Sequence, residues 1–274
     1  MKNFVFLMFL ISYINVNVAY AQTFKKKFVV VQSMHYKGGV DVSKFGVEKN
    51  PIIYESSLLL STTSDEIITG ISFEKLVAGL EKGPLPTVID IERWSIYTEN
   101  EVERIKNRDN FLDVLKRLRF ARPDLAFGYY GVIPERTYWP LIDKNKKSDK
   151  EIWENFNARA RIDFSSYVDA IYPSLYTFYE DQKGWRNYAV ETLKAAQKFG
   201  KPVYCYLWPQ YHSSNKKLNE MYLSVDYWQI QLETCYQYSD GIVIWNYEPD
   251  KIWDSNADWW QQTLKFLKYN NLIN

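Results

Sequence analysis

Seven short runs of apolar, β-branched or aromatic residues recur along the chain, and helix-like segments separate most of them. Strands that are apolar on both faces and alternate with helices are typical of a parallel sheet covered by helices. The alternation therefore predicts an α/β fold, and no repeat, low-complexity segment or Pro/Gly-rich linker divides it into domains. The runs lie at residues 27–33, 50–54, 86–91, 125–130, 168–175, 201–208 and 240–245.

Helix-like segments precede the fourth, sixth and seventh runs, at residues 107–124, 187–202 and 222–239. Gly200 and Pro202 predict the end of the second segment, because glycine follows the last turn of many helices and proline cannot continue one. The lysine-rich residues 142–151 predict a solvated loop. Aromatic and charged residues collect at the C-terminal ends of the runs, which favours a closed barrel, since the sites of (β/α) barrels lie on that face.

The N-terminus has the pattern of a secretory signal peptide. Lys2 precedes a long apolar stretch, and Ala19-Tyr20-Ala21 forms an A-x-A cleavage site before Gln22. The apolar part is shorter than the ~20 residues that a membrane-spanning helix needs, which disfavours the alternative of an uncleaved anchor. We therefore expect a signal peptide at 1–21, one domain at 22–274, and a secreted or extracytoplasmic protein without a membrane span after cleavage.

The net charge and the aromatic content of the chain indicate which classes of molecule it can bind. Cleavage would remove Lys2 from the 34 basic residues and leave 33 against 33 acidic residues. A net charge of zero argues against a general affinity for nucleic acid. The 22 tyrosines and 10 tryptophans outnumber the 15 phenylalanines. Tyrosine and tryptophan combine an apolar ring with a hydrogen-bonding group, which suits sugar rings, although many of these side chains must also fill a core.

Cysteine and histidine content gives little support for metal or redox chemistry. Cys205 lies in a predicted strand and Cys235 in a predicted helix, and we expect two buried free thiols. The two histidines, His35 and His212, form no HExxH motif, and the chain has no CxxC motif. We therefore expect no metal site, no cofactor and no Ser-His-Asp triad.

The sequence TVIDIERWSIY, residues 87–97, carries two carboxylates at the end of an apolar run. Residues i and i+2 of a strand point to the same face, so the Cα atoms of Asp90 and Glu92 would lie roughly 6–7 Å apart. Two like charges on one buried face are costly unless one of them holds a proton, and that asymmetry serves acid/base chemistry. The pair is therefore the first candidate for catalysis.

Aromatic residues end the other predicted strands. Each could simply cap a barrel, but together they converge on one mouth, which makes a binding site the stronger interpretation. On position alone, Tyr129 and Trp208 are candidates for binding sugar. The strand-end aromatics are Tyr129, Tyr130, Tyr172, Tyr176, Trp208 and Trp245.

Four of these segments resemble motifs of the animal hyaluronidases, glycoside hydrolase family 56, which includes the bee-venom type. VIDIERW resembles the family's Asp-x-Glu-x-Trp strand, FGYYG its Gly-aromatic-Tyr-Gly, YPSLY its Pro-Ser-aliphatic-Tyr, and SDGIVIW the strand that ends in Trp. Their order and rough spacing are kept between residues 86 and 245. NPIIYES also resembles the second strand, with Glu55 where Asp is usual.

The resemblance implies a distorted TIM-like (β/α) barrel of about seven strands, in agreement with the count above. It implies that Glu92 donates a proton to the glycosidic oxygen. Asp90 would hold the substrate's acetamido group, whose carbonyl oxygen attacks the anomeric carbon, so the products retain their configuration. Tyr130 and Tyr176 would position the acetamide, and Trp245 would close the pocket around it.

Further roles are weaker implications. Tyr54 and Glu55 are candidates for substrate binding, and we expect Arg93 to order the strand end by ion pairing. The chain departs from the family in lacking its disulfide cysteines, in having Ser95 where Arg is frequent, and in having bulky residues 246–248 after Trp245.

We therefore expect a monomeric, secreted, hyaluronidase-like endo-β-N-acetylhexosaminidase acting on hyaluronan or a related glycosaminoglycan. Chitin-, chondroitin- or peptidoglycan-like chains are alternative substrates, since all contain an N-acetylhexosamine. A non-catalytic glycan-binding barrel is a further alternative, which the presence of both carboxylates and both tyrosines disfavours.

Overall fold

Parallel strands surround the centre of the structure, a computed structural model that describes residues 27–273. Within these residues the strands are β1 Val29–Lys37, β2 Glu48–Lys49, β3 Ile52–Tyr54, β4 Thr87–Asp90, β5 Phe127–Tyr129, β6 Tyr204–Leu207 and β7 Gly241–Ile252. The helices are α1 Glu55–Leu58, α2 Gly70–Ala78, α3 Glu101–Ala121, α4 Trp139–Ile142, α5 Lys147–Phe164, α6 Gln182–Gln197, α7 Val225–Tyr238 and α8 Asp258–Tyr269.

Six of the seven apolar runs form strands, and the run at 168–175 does not. It passes between β5 and β6 and pairs beside them through three isolated parallel bridges, Ile171 with Val203, Tyr172 with Tyr130 and Ser174 with Tyr206. Pro173 stands between the last two bridges and has no N–H to donate, although its carbonyl accepts from the Tyr206 N–H at 3.0 Å. The segment therefore occupies the position of a strand in the barrel, but it does not form a continuous series of hydrogen bonds to its neighbours.

The strands form two hydrogen-bonded groups, β2-β1-β7-β6 and β3-β4-β5. Segment 168–175 joins the groups on one side. Asn50 joins them on the other: its N–H donates to the Gln32 carbonyl at 2.9 Å, and its Oδ1 accepts from the Leu85 N–H at 3.0 Å. The result is a distorted TIM-like (β/α) barrel, which confirms the predicted fold class.

Alternation along the strands separates two sets of buried side chains. Val88, Tyr172, Tyr206 and Val243 belong to the smaller set, which fills the interior of the barrel. A Cβ atom at Gly128 would lie 2.6 Å from the Ala170 carbonyl and 2.8 Å from the Tyr172 ring. Glycine at this position therefore leaves the space that Tyr172 occupies.

The predicted helices are present as α3, α6 and α7, and α6 ends three residues before Gly200, whose φ is +67°. The predicted loop at 142–151 was partly wrong, because α5 begins at Lys147. The exposed first turn of α5 supplies the lysine-rich pattern, and the helix buries Trp153 and Asn157 further along.

Cys205 and Cys235 are both buried, and no disulfide joins them, as predicted. Between residues 27 and 273, no helix is both long enough and apolar enough to cross a bilayer. The predicted signal peptide at 1–21 and the expected mature start at Gln22 lie outside the described residues.

Candidate active site

Strand β4 brings Asp90 to the mouth of the barrel. Asp90 is the last residue of the strand, lies two residues beyond the interior Val88, and pairs across the sheet with Tyr54. Its side chain lines a cavity of about 230 Å³ together with Glu92. The structure thus places the two carboxylates in one cavity, because their spacing of two keeps them on the same side of the chain.

The two carboxylates differ in their surroundings. Burial, and then the charges of Glu92 and Glu55, raise the pKa of Asp90 from 3.8 to about 7. Glu92 is exposed. In the free protein a proton therefore resides on Asp90 below pH 7, while the Glu92 carboxyl faces solvent beside it.

Two buried tyrosines line the same cavity. The hydroxyl of Tyr130 lies 3.0 Å from Ser174 Oγ, and the ring of Tyr130 is 5.8 Å from that of Tyr176. Burial raises the pKa of both hydroxyls, and the charge of Glu92 raises that of Tyr130 further. Both hydroxyls therefore keep their protons at physiological pH and can donate hydrogen bonds.

An aromatic wall covers one side of the cavity. Trp245 stacks on Tyr176 with ring centroids 5.7 Å apart, and Trp208 meets Trp245 edge-on at 5.0 Å. Tyr247 lies nearly parallel to Trp245, at 6.3 Å and 10°, and is 57% exposed. The Trp208 Nε1–H donates to Asn246 Oδ1 at 3.1 Å, which holds the wall in one orientation.

Tyr54 and Glu55 lie beside the cavity and do not line it. The Tyr54 hydroxyl is 2.9 Å from His35 Nε2, and Glu55 Oε1 accepts from Arg93 at 2.9 Å. The predicted ion pairing of Arg93 is confirmed. These partners give Tyr54 and Glu55 a supporting position, and Glu55 acts at the cavity through its effect on the pKa of Asp90.

The prediction that Tyr129 binds substrate was wrong. Tyr129 is fully buried among the helices, and its hydroxyl donates to the Phe111 carbonyl of α3 at 2.7 Å. Adjacent strand residues point to opposite faces, so Tyr130 enters the barrel and Tyr129 must leave it. The sequence motif contains both tyrosines, and they are distinguished only by the face of the strand to which each one points.

A second cavity of about 200 Å³ lies next to the first. Glu92, Tyr130 and Arg136 line both cavities, and Glu135 lines the second. Burial raises the pKa of Glu135 to about 7. The Arg136 guanidinium donates to Ser174 Oγ at 3.4 Å and lies 5.2 Å from the centre of the Phe178 ring.

Sequence reasoning missed several residues of the two cavities. Glu135 and Arg136 follow β5, and Glu220 follows β6, all in irregular segments without periodicity. Gly131, at φ +66°, turns the chain directly after Tyr130. The adjacent charges of Glu135 and Arg136, so soon after a strand end, are the sequence signal that could have identified them.

Comparisons with known proteins support the fold. No family model matches the sequence, and no curated protein matches it. Bee venom hyaluronidase is similar in structure, with a TM-score of 0.58 and 15% identity over 89% of this chain and 98% of that chain. A second structure, bee venom hyaluronidase in complex with a hyaluronic acid tetramer, gives a TM-score of 0.56 and 16% identity over 89% and 97%. The chain therefore has a hyaluronidase-like barrel fold.

Proposed function

We propose that this protein is a hyaluronidase-type glycoside hydrolase that cleaves β-N-acetylhexosaminidic bonds within a polysaccharide and retains the anomeric configuration. The observation that carries the proposal is the pairing of a half-buried Asp90 with an exposed Glu92 in one aromatic-walled cavity. The likeness in fold to bee venom hyaluronidase supports it.

The first chemical step uses Glu92 as the general acid. Glu92 gives its proton to the glycosidic oxygen while the acetamide carbonyl oxygen of the substrate attacks the anomeric carbon, so the glycosidic C–O bond breaks and an oxazolinium ring forms. The nucleophile is already attached to the sugar, and a well-oriented intramolecular attack can be worth an effective molarity of ~10⁵ M or more. Glu92 then takes a proton from water, which opens the ring at the anomeric carbon and releases a product of retained configuration.

Asp90 holds the acetamide by accepting a hydrogen bond from its N–H. In the free protein Asp90 has a pKa of about 7 and is protonated in weak acid. An N–H donor and the positive charge that develops on the oxazolinium ring both favour the carboxylate form, so substrate binding lowers this pKa. The proton released by Asp90 then passes to Glu92, where the reaction needs it.

The surrounding side chains fit this chemistry. The protonated hydroxyls of Tyr130 and Tyr176 can donate to the acetamide carbonyl and orient it for attack. Trp245, stacked on Tyr176, offers an apolar face to the acetyl methyl group and the sugar ring. Trp208 supports Trp245 from its edge.

Glu92 borders both cavities, and this supports cleavage within a chain. A proton donor between two cavities can serve a bond whose sugars occupy one cavity each. The first cavity, which contains Asp90, would take the sugar with the reacting acetamide. The second, lined by Glu135 and Arg136, would take the leaving group.

Hyaluronan or a related glycosaminoglycan is the first polymer to consider, because the bee venom structure contains a hyaluronic acid tetramer. Chitin-, chondroitin- and peptidoglycan-like chains also carry an N-acetylhexosamine and fit the same mechanism.

The test is proton NMR of the fresh reducing ends, together with a de-acetylated form of whichever polymer is cleaved. We expect retention of configuration and loss of cleavage after de-acetylation. Inversion, or undiminished cleavage of the de-acetylated chain, would remove Asp90 from this role. A glycan-binding barrel without activity would produce no new ends.

We also propose that the protein is exported and that its mature form begins at Gln22. The charged Lys2, the apolar stretch and Ala19-Tyr20-Ala21 support this proposal. Mass spectrometry of protein recovered outside the cytoplasm tests it, and an intact Met1 start there would contradict it.

A further inference from the structure

Carboxyl groups outnumber cations in the lining of the two cavities, although burial raises the pKa of Asp90 and of Glu135 to about 7. Within the described part of the chain, Asp90, Glu92, Glu135 and Glu220 contribute four carboxyl groups to the lining, and Arg136 contributes the one permanent cation. His212 also lines the first cavity, but burial and the nearby Arg136 lower its pKa, so it is neutral at pH 7. The lining therefore has little positive charge with which to bind an anion.

Three cations outside the lining have carboxylate partners. Lys251 lies 2.5 Å from Glu248, Lys217 lies 3.2 Å from Glu180, and Arg93 contacts Glu55. Burial, and then the charge of Lys49, lower the pKa of His35, so His35 is also neutral at pH 7. Arg136 itself donates to Ser174 and lies over the Phe178 ring.

Aromatic rings supply the remaining surface. The wall of Tyr176, Trp208 and Trp245 continues to Tyr247, which is 57% exposed and nearly parallel to Trp245. Such faces pack against the apolar faces of sugar rings irrespective of charge. A carboxylate that is moved from water into a cleft lined by four carboxyl groups and one cation loses hydration that the cleft replaces only in part.

We infer that the cleft takes an uncharged N-acetylhexosamine polymer, of the chitin-oligosaccharide kind, in preference to a polymer with a carboxylate on alternating sugars. The inference rests on the proposed function and names the substrate class of the same site. It follows from the four-to-one excess of carboxyl groups over cations in the lining and from the continuous aromatic wall.

The sharpest test compares hyaluronan with its carboxyl-reduced derivative of equal length, because the two differ only in charge and keep the same linkages and acetamido groups. We expect kcat/KM to be about 10-fold higher on the reduced polymer at low ionic strength, and the ratio to shrink in about 0.5 M salt, where charges are screened within a few ångströms. Chitohexaose should be cleaved as well. An equal or higher kcat/KM on native hyaluronan would overturn the inference.

A charge-reversal variant tests the cause. Glu220 is exposed and lines the first cavity. Its φ is +57°, and replacing glutamate with lysine does not change the strain of that backbone conformation. We expect Glu220→Lys to lower, several-fold, the ratio of kcat/KM on the reduced polymer to kcat/KM on native hyaluronan. The matched control is Glu154→Lys, the same charge change at an exposed position of α5, outside both cavities. An equal shift in both variants would indicate an effect of net charge and overturn the role given to the lining.

Binding separates failure of this inference from failure of the proposed function. Titration calorimetry on the Glu92→Gln variant compares the two polymers without turnover. Tighter binding of the reduced polymer supports the inference, and tighter or equal binding of hyaluronan overturns it. Absence of cleavage of every polymer by the unmodified protein overturns the proposed function whatever the binding shows, and absence of both binding and cleavage overturns both.

Discussion

Replacing Asp90 with asparagine should stabilise the protein at neutral and alkaline pH while removing most of its activity. The native state raises the pKa of Asp90 from 3.8 to about 7. Between these two pH values the native state binds more protons at this site than the unfolded chain, so stability falls as pH rises. This difference in pKa corresponds to about 4 kcal/mol above pH 7, which is an upper limit because solvent still reaches part of the Asp90 carboxyl and lowers the cost of its charge.

Asparagine has nearly the same shape and no charge to bury. The free energy of unfolding of Asp90→Asn should equal that of the unmodified protein near pH 4, where the aspartate is protonated in the native state. The advantage of the variant should grow between pH 4 and pH 7 and then stay constant, at up to about 4 kcal/mol.

Urea denaturation of both proteins at intervals from pH 4 to pH 9 measures this difference. Glu92→Gln is the matched control: Glu92 is exposed and is only the second cause of the shift at Asp90, so its gain should be much smaller. A difference between Asp90→Asn and the unmodified protein that does not change with pH, or a variant less stable at pH 8, would refute the reasoning. Loss of activity in a stabilised variant is the usual trade-off at a catalytic site.

Three further predictions concern the same site. Glu92→Gln should lower kcat by at least ~10²-fold, since loss of a general acid commonly costs roughly 10²–10⁴; near-normal turnover in a folded variant would contradict its role. Activity should fall as pH rises through about 7, because Asp90 then loses the proton that it passes to Glu92; a constant kcat/KM up to pH 9 would be inconsistent with this. Tyr130→Phe should lower kcat and also cost about 1 kcal/mol of unfolding free energy, because its hydroxyl lies 3.0 Å from Ser174 Oγ. Tyr129→Phe should cost about 1 kcal/mol of unfolding free energy and leave kcat unchanged, because its hydroxyl binds the Phe111 carbonyl outside the cavity; chemical denaturation and initial rates on both variants measure the contrast.

The barrel was predictable from the sequence because its strands are buried on both faces and read as continuous apolar runs. The pairing of Asp90 with Glu92 was predictable as well, since a spacing of two holds across a strand end. The run at 168–175 has the same composition as its neighbours but is interrupted by Pro173, and its ladder breaks there. The apolar composition of a segment indicates that it is buried. It does not show whether each backbone N–H is hydrogen-bonded to a neighbouring strand.

Residues on loops escaped prediction for a different reason. Arg136 and Glu220 enter the cavities from irregular segments, where neither a period of two nor one of 3.6 indicates direction. Tyr129 was misassigned because a motif reports which residues occur and not which face each one takes. The register of β5 against its neighbours supplies that information.

Tyr129 and Tyr130 point to opposite faces because they are adjacent on a strand. This alternation also limits which insertions and deletions the strand can accept. Inserting or deleting one residue within β5 would exchange the two side chains between cavity and helices, so the strand accepts no change of odd length. The segment after Gly131 carries no such constraint, because loops accept length changes at small entropic cost. Residues on the loops can therefore change while the strands keep Asp90 and Tyr130 at the cavity, which is consistent with the 15% identity between this chain and a barrel of the same fold.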